Sequence, residues 1–259
     1  MNERARSLNV LQLTDTHLHA ATDSQLRGVR TYDTLCTVVE HALADSNRSA
    51  DFVVATGDIV QDESRAGYEL FRDVLSKFEV PIFCIPGNHD DPGLMAEVLG
   101  RSPFQTGGET RFAGWSMLFL STFLVGEDAG GLGEQRLNGL DRALHAHDDQ
   151  HVLICMHHHA IPMGSRWLDG VALKDARNFL ELIDRHRNVR AVLYGHVHQE
   201  SDRERNDVRH ISTPSTCSQF KPASEFFALD DKPPGYRWLE LHPDGSIHTE
   251  VQWVETDRA

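Results

Sequence analysis

Five short clusters of acidic, amide and imidazole side chains punctuate the chain, each directly after an apolar run. They are Asp15-Thr16-His17, Gly57-Asp58, Gly87-Asn88-His89-Asp90, His157-His158-His159 and Gly195-His196-Val197-His198. Taken singly, each has an ordinary explanation: a turn, a cap for the next helix (Asp90 or Asp91), a solvated loop, or alternating positions at a strand end. Taken together, in the same place relative to successive strands, they read as a ligand set. Carboxylate, imidazole and amide oxygen suit borderline first-row ions such as Fe, Mn, Zn or Co better than Ca or Mg. No cysteine stands among them, which argues against a structural zinc site. On an extended segment, His196 and His198 would point to opposite faces. Either a local turn redirects one ring or each ring serves a different metal, and two ions explain the spacing better than one. A pair of divalent ions lowers the pKa of bound water and neutralises phosphoryl oxygens, so the chemistry expected is hydrolysis of a phosphate ester.

The elements that must position these residues follow from the hydrophobic pattern. Strands are expected at 10–13, 52–55, 81–85, 115–120, 152–156 and 189–194. Helices are expected at 31–44, 64–78, 93–99, 134–146 and 173–185. Nearly continuous aliphatic strands joined by helices indicate sheets buried on both faces. Further strands are expected at 208–212, 225–229, 235–241 and 246–253, the last two joined across His242-Pro243-Asp244-Gly245. The fold class expected is mixed α/β: two mixed β-sheets packed face to face and flanked by helices, as one domain over residues 1–259. Sites in open α/β sheets form at the carboxyl ends of strands, where these clusters lie. Phe226, Phe227, Tyr236 and Trp238 are expected in the core.

Composition narrows the partners. The 259 residues carry 25 Lys+Arg against 39 Asp+Glu, a formal charge of −14. That balance disfavours nucleic acid and anionic membranes, although bound cations still allow an anionic substrate. Cys36, Cys84, Cys155 and Cys217 stand singly, without a C-x-x-C pair, and no disulfide framework is expected. No apolar run approaches the ~20 residues of a membrane span. The N-terminus lacks a signal-peptide pattern, and a cytoplasmic monomer or homodimer is expected.

The five clusters, in this order from Asp15 to His198, resemble the calcineurin-like metallophosphoesterases, whose pattern is D-x-H, G-D, G-N-H-[DE], a lone His and G-H-x-H. The stretches at 12–18, 55–58, 157–159, 195–200 and 213–222 are similar to the bacterial class III 3′,5′-cyclic-AMP phosphodiesterase subgroup. The resemblance implies a four-layer sandwich with two metal ions. Asp15, His17, Asp58 and His198 would hold one ion. Asp58 would bridge to a second, held also by Asn88, His157 and His196. His89 would be the catalytic histidine, and His17, Asp58, Asn88 and His89 would face the substrate phosphate. The activity implied is hydrolysis of cyclic AMP to 5′-AMP by a metal-bridging hydroxide. A broader phosphodiesterase for 2′,3′-cyclic nucleotides or glycerophosphodiesters is the nearest alternative, and a non-catalytic scaffold of the same fold is a more distant one. Two departures from the pattern stand out. The residue three after Asp58, an Asp in many members, is Gln61, so orientation of His89 falls to Asp62. The segment Gly126–Gly131 lacks the substrate-facing His of some relatives.

Overall fold

The structure, a computed structural model, describes residues 6–256. The chain opens with β1 (Leu8–Leu13), a small hairpin of β2 (Gln25–Leu26) and β3 (Val29–Arg30), and α1 (Thr31–Ala44). There follow β4 (Phe52–Ala55), α2 (Arg65–Leu75), β5 (Ile82–Cys84), α3 (Pro92–Leu99), β6 (Phe104–Thr106), β7 (Gly108–Phe112) and β8 (Trp115–Phe119). The second half carries α4 (Gly133–Ala146), β9 (His151–Cys155), α5 (Arg166–Asp169), α6 (Ala176–Ile183) and β10 (Val189–Tyr194). It ends with β11 (Ser201–Arg205), β12 (Val208–Ser212), β13 (Gly235–Leu241) and β14 (Ile247–Trp253).

Two six-stranded sheets result, in the orders β14-β13-β1-β4-β5-β6 and β11-β12-β10-β9-β8-β7. The runs β1-β4-β5-β6 and β8-β9-β10-β12 are parallel, while β13, β14, β7 and β11 close the sheets with antiparallel pairs. Alternation along each central strand serves two faces at once. Phe52 and Val54 join Leu153, Cys155, Ala191 and Leu193 in the core between the sheets. Val53 and Ala55 turn outward onto residues of α1 and α2, including Leu35, Val38, Tyr68 and Phe71. On the other side, Ile154 and Val192 meet Leu140, Leu144, Phe179 and Ile183 of α4 and α6. Three apolar layers therefore separate helices, sheet, sheet and helices, which is the four-layer sandwich expected.

Some boundaries shift. The helix expected at 173–185 spans only Ala176–Ile183, and the one at 64–78 ends in a 3-10 turn over Ser76–Phe78. The strand expected at 225–229 does not form, because no neighbour pairs with it beyond a single bridge between Phe220 and Leu229. Tyr236 and Trp238 are core residues, but Phe226 and Phe227 are 75% and 48% exposed. Strands β6, β7 and β11 escape the pattern because edge strands carry mixed polar sequences.

Candidate metal centre

All five clusters stand at the carboxyl ends of parallel strands: three after β1, β4 and β5 of one sheet, two after β9 and β10 of the other. The loops run side by side through backbone hydrogen bonds, Asp15 N–H to Gly57 O (3.0 Å), His17 N–H to Asp58 O (2.9 Å) and Gly195 N–H to His157 O (3.2 Å). The Asp15 carboxylate crosses between the sheets, accepting from the Thr14 hydroxyl at 2.6 Å and the His196 N–H at 3.0 Å.

Backbone conformation aims the side chains inward. Asp15, His17, Asp58, His196 and His198 all have positive φ, at 53°, 47°, 49°, 65° and 47°. Each such residue costs about 1 kcal/mol or more, and surrounding hydrogen bonds hold it there. This answers the spacing question at His196 and His198: the segment is turned, not extended. The glycines beside these side chains permit close approach. A Cβ on Gly87 would strike Asp58 Oδ1, and one on Gly195 would strike Thr14 Oγ1.

The donor atoms form two adjoining groups. In one, His198 Nε2 lies 3.2 Å from Asp15 Oδ1, and His17 Nε2 lies 3.1 Å from His198 Nε2 and 3.8 Å from Asp58 Oδ2. In the other, His157 Nε2 lies 3.4 Å from Asp58 Oδ2 and 3.2 Å from Asn88 Oδ1. The His196 ring stands 5.0 Å from that of His157, and its buried Nε2 has no partner. Asp58 thus belongs to both groups. Two imidazole nitrogens facing each other, with a third orphaned nearby, fit a site for cations, which satisfy such lone pairs where protons cannot. Outer hydrogen bonds set the tautomers: His157 Nδ1 donates to Thr56 O at 2.7 Å and His198 Nδ1 donates to Ser218 O at 2.6 Å, leaving each Nε2 free to ligate.

The electrostatics agree. Burial alone would raise Asp15 and Asp58, but His198 beside the first and His157 beside the second hold both below the usual carboxylate range. Burial pulls His17 down to about 3, and drives His196 well below its ordinary value with help from its histidine neighbours. His157 goes the other way. Burial lowers it, but the Asp58 carboxylate outweighs that and lifts it to about 9, so a cation bound at this ring would have to displace a proton.

His89 sits at the rim, half-buried, with its ring 5.3 Å from that of His17 and a ring nitrogen within 4.8 Å of donor atoms of His17 and Asp58. Its Nδ1 accepts from the Gln61 amide at 3.2 Å, and its backbone N–H donates to Asp58 Oδ1 at 3.0 Å. Asp62 does not take the orienting role expected of it. Its carboxylate closes the turn before α2, accepting from Ala20 N–H (2.9 Å) and Ser64 N–H (3.2 Å), and Gln61 is the residue against His89.

Of the remaining histidines in the triple run, His158 has both nitrogens engaged, accepting from Thr122 Oγ1 at 2.7 Å and donating to Asp128 O at 3.1 Å. It thereby anchors the 122–131 loop. His159 is buried, 3.5 Å from Asp169, with its ring stacked 5.8 Å from His196. The Thr56 and Ser218 carbonyls and the Gln61 amide, which hydrogen-bond the His157, His198 and His89 rings, are contacts that residue type alone does not reveal. Only the resemblance at 213–222 pointed near Ser218.

Residues 8–200 match the family described as Calcineurin-like phosphoesterase, and the chain belongs to it. Among curated proteins it is 38% identical to the 3′,5′-cyclic adenosine monophosphate phosphodiesterase CpdA of Haemophilus influenzae, over 96% of this chain and 90% of that protein. It is 40% identical to the CpdA of Vibrio vulnificus, over 95% and 90% of the two chains. With the CpdA of Escherichia coli K12 it shares 39% over 97% and 91%. Among solved structures, a dimetal phosphatase from Danio rerio superposes with a TM-score of 0.67 at 15% identity, covering 96% of this chain and 99% of that one. That last likeness speaks to the fold alone.

Proposed function

We propose that this protein is a metal-dependent phosphodiesterase that hydrolyses 3′,5′-cyclic AMP to 5′-AMP, acting as one catalytic unit along its length. The observation that carries the reading is the convergence of buried carboxylate, amide and imidazole donors from five loops on one rim, with Asp58 shared between two groups. Relatives named as cyclic-AMP phosphodiesterases, aligned over nearly the whole chain, supply the substrate.

Asp15, His17, Asp58 and His198 would hold one divalent ion, and Asp58, Asn88, His157 and His196 a second, of the Fe, Mn, Zn or Co type. When bound, such ions supply an acidic water and positive charge beside the phosphate. The chain supplies the rest. His17, Asp58, Asn88 and His89 border the phosphate. Gln61 occupies Nδ1 of His89 and leaves Nε2 to donate toward the 3′-oxygen as charge develops on it. Water adds across the P–O3′ bond, the 3′-oxygen gains a proton, and 5′-AMP results. No described helix is long and apolar enough to cross a membrane.

A panel of diesters tests the substrate. Cyclic AMP is expected to give the highest kcat/KM against cyclic GMP, 2′,3′-cyclic AMP, glycerophosphodiesters and an aryl methyl phosphodiester. A higher value for 2′,3′-cyclic nucleotides or glycerophosphodiesters would replace cyclic AMP with the broader class.

A further inference from the structure

The exposed aromatic residues beside the metal centre are unexplained by the fold. The Phe220 ring lies parallel to the ring of His198, centroids 4.0 Å apart and planes 8° from parallel. Phe227 packs edge-on against Phe220 at 5.4 Å and against Trp167 at 5.2 Å, yet keeps 48% of its surface exposed. The guanidinium of Arg27 lies 5.3 Å from the Phe220 centroid and 4.8 Å from that of Phe227. Arg27 forms no ion pair with a carboxylate among the described residues. An arginine held on aromatic faces without a counter-charge has both a planar face and N–H edges to offer.

The backbone presents it deliberately. Arg27 and Gly28 form the two-residue turn between β2 and β3, with φ of 53° and 83°. This is the hairpin geometry that favours Asn or Gly at the first position, so an arginine there is strained. The hairpin belongs to the same connection, out of β1, that carries Asp15 and His17. The opposing loop follows Ser218, whose carbonyl fixes His198. The platform is therefore built from the two segments that flank the metal centre.

We propose that Arg27 and Phe227 form the surface on which the purine of the substrate stacks, and that they determine specificity for a nucleotide over a small diester. A purine has a π-face to lie against the outer side of the stacked guanidinium and phenyl pair, and ring-nitrogen acceptors for the guanidinium N–H groups. The platform is continuous with the metal centre through Phe220 and His198, so a molecule whose phosphate is held at His17 and His89 brings its base toward it. A positive charge also suits an anionic nucleotide better than it suits the apolar face of a second copy. The inference rests on the cyclic-nucleotide reading above.

Its test uses the metal-loaded full chain, with cyclic AMP and 4-nitrophenyl methyl phosphate, which has no base, as the two substrates. Arg27→Ala and Phe227→Ala are each expected to raise KM for cyclic AMP about tenfold, the scale of one lost base stack, and to lower the cyclic-AMP-to-small-diester ratio of kcat/KM accordingly. Metal content should stay at the wild-type value. Phe227→Tyr should restore the ratio, Arg27→Lys should not, and Phe226→Ala should leave it in place. Unchanged KM in both alanine variants, with cyclic AMP still hydrolysed, overturns the platform and spares the substrate reading. Unchanged KM with a shift from dimer to monomer assigns the patch to self-association and also overturns it. A wild-type enzyme that hydrolyses only the small diester overturns the substrate reading itself, and the purine platform falls with it.

Discussion

At the scale of single residues, the ligand chemistry was legible because side-chain type and position after a strand are both written in the sequence. What orients those ligands was not. Thr56 and Ser218 act through backbone carbonyls, which any residue possesses, and the left-handed backbone at Asp15, His17, Asp58, His196 and His198 falls on residue types that tolerate it without requiring it. The assignment of Asp62 failed for a related reason. Sequence adjacency cannot tell which of Gln61 and Asp62 faces His89, and the turn before α2 claims Asp62 for Ala20 and Ser64. His89 touches the centre without completing either donor group, so its loss should separate chemistry from metal binding. His89→Ala is expected to lower kcat at least about tenfold while metal content, measured by elemental analysis, stays at the wild-type level. Full turnover at saturating metal would remove His89 from the mechanism.

At the scale of elements, two adjacent acids show how the fold divides labour that sequence leaves open. Either Asp90 or Asp91 could cap α3. The structure gives the cap to Asp91, which accepts from Gly93 N–H at 2.8 Å and Leu94 N–H at 3.0 Å. Asp90 instead ties the loops after β4 and β5 together, accepting from Gly87 N–H (2.8 Å), Ile59 N–H (3.1 Å), Val60 N–H (3.1 Å) and the Tyr68 hydroxyl (3.0 Å). Burial, reinforced by the Asp58 carboxylate, raises Asp90 to about 6, a penalty those donors partly offset. Asp91→Ala should cost about 1 kcal/mol, as for a lost N-cap. Asp90→Ala leaves several buried donors unpaired and should cost about 3 kcal/mol or more. Urea unfolding of the two variants measures the difference, and equal costs would contradict this division. The missing strand at 225–229 has a similar cause: Phe226 and Phe227 supply β-propensity, but a strand needs a neighbour along its length, and only Phe220 meets Leu229.

At the scale of the whole molecule, the two-sheet sandwich was legible because each central strand is apolar on both faces, whereas the short edge strands β6, β7 and β11 were not because polar residues dominate them. The sandwich buries an unusual load of neutral imidazole, with consequences for acid stability. His210 is buried in β12 with neither nitrogen partnered, and burial pulls its pKa from 6.5 to about 4. The folded state then binds its proton less readily than the unfolded state does. Its stabilising contribution is complete above pH 6.5 and is lost as pH falls toward 4, an effect of up to about 3 kcal/mol. His159, lowered to about 4 mainly by burial, adds to the same window. His157, raised to about 9, contributes fully below pH 6.5 and so does not cancel the trend. Asp90, raised to about 6, takes up a proton in the folded state across the same window and offsets part of this loss. Metal-free protein should still lose urea resistance between pH 6.5 and 4, and His210→Leu should reduce that loss; an identical slope in the variant would place the acid sensitivity elsewhere. Metal titration of the stripped protein probes hydrolysis of cyclic AMP at a paired-cation site with Asp58 in common. Phosphodiesterase activity toward cyclic AMP should be absent without metal and rise to its plateau at about two equivalents per chain. A plateau at one equivalent, or activity that survives complete removal of metal, would contradict it.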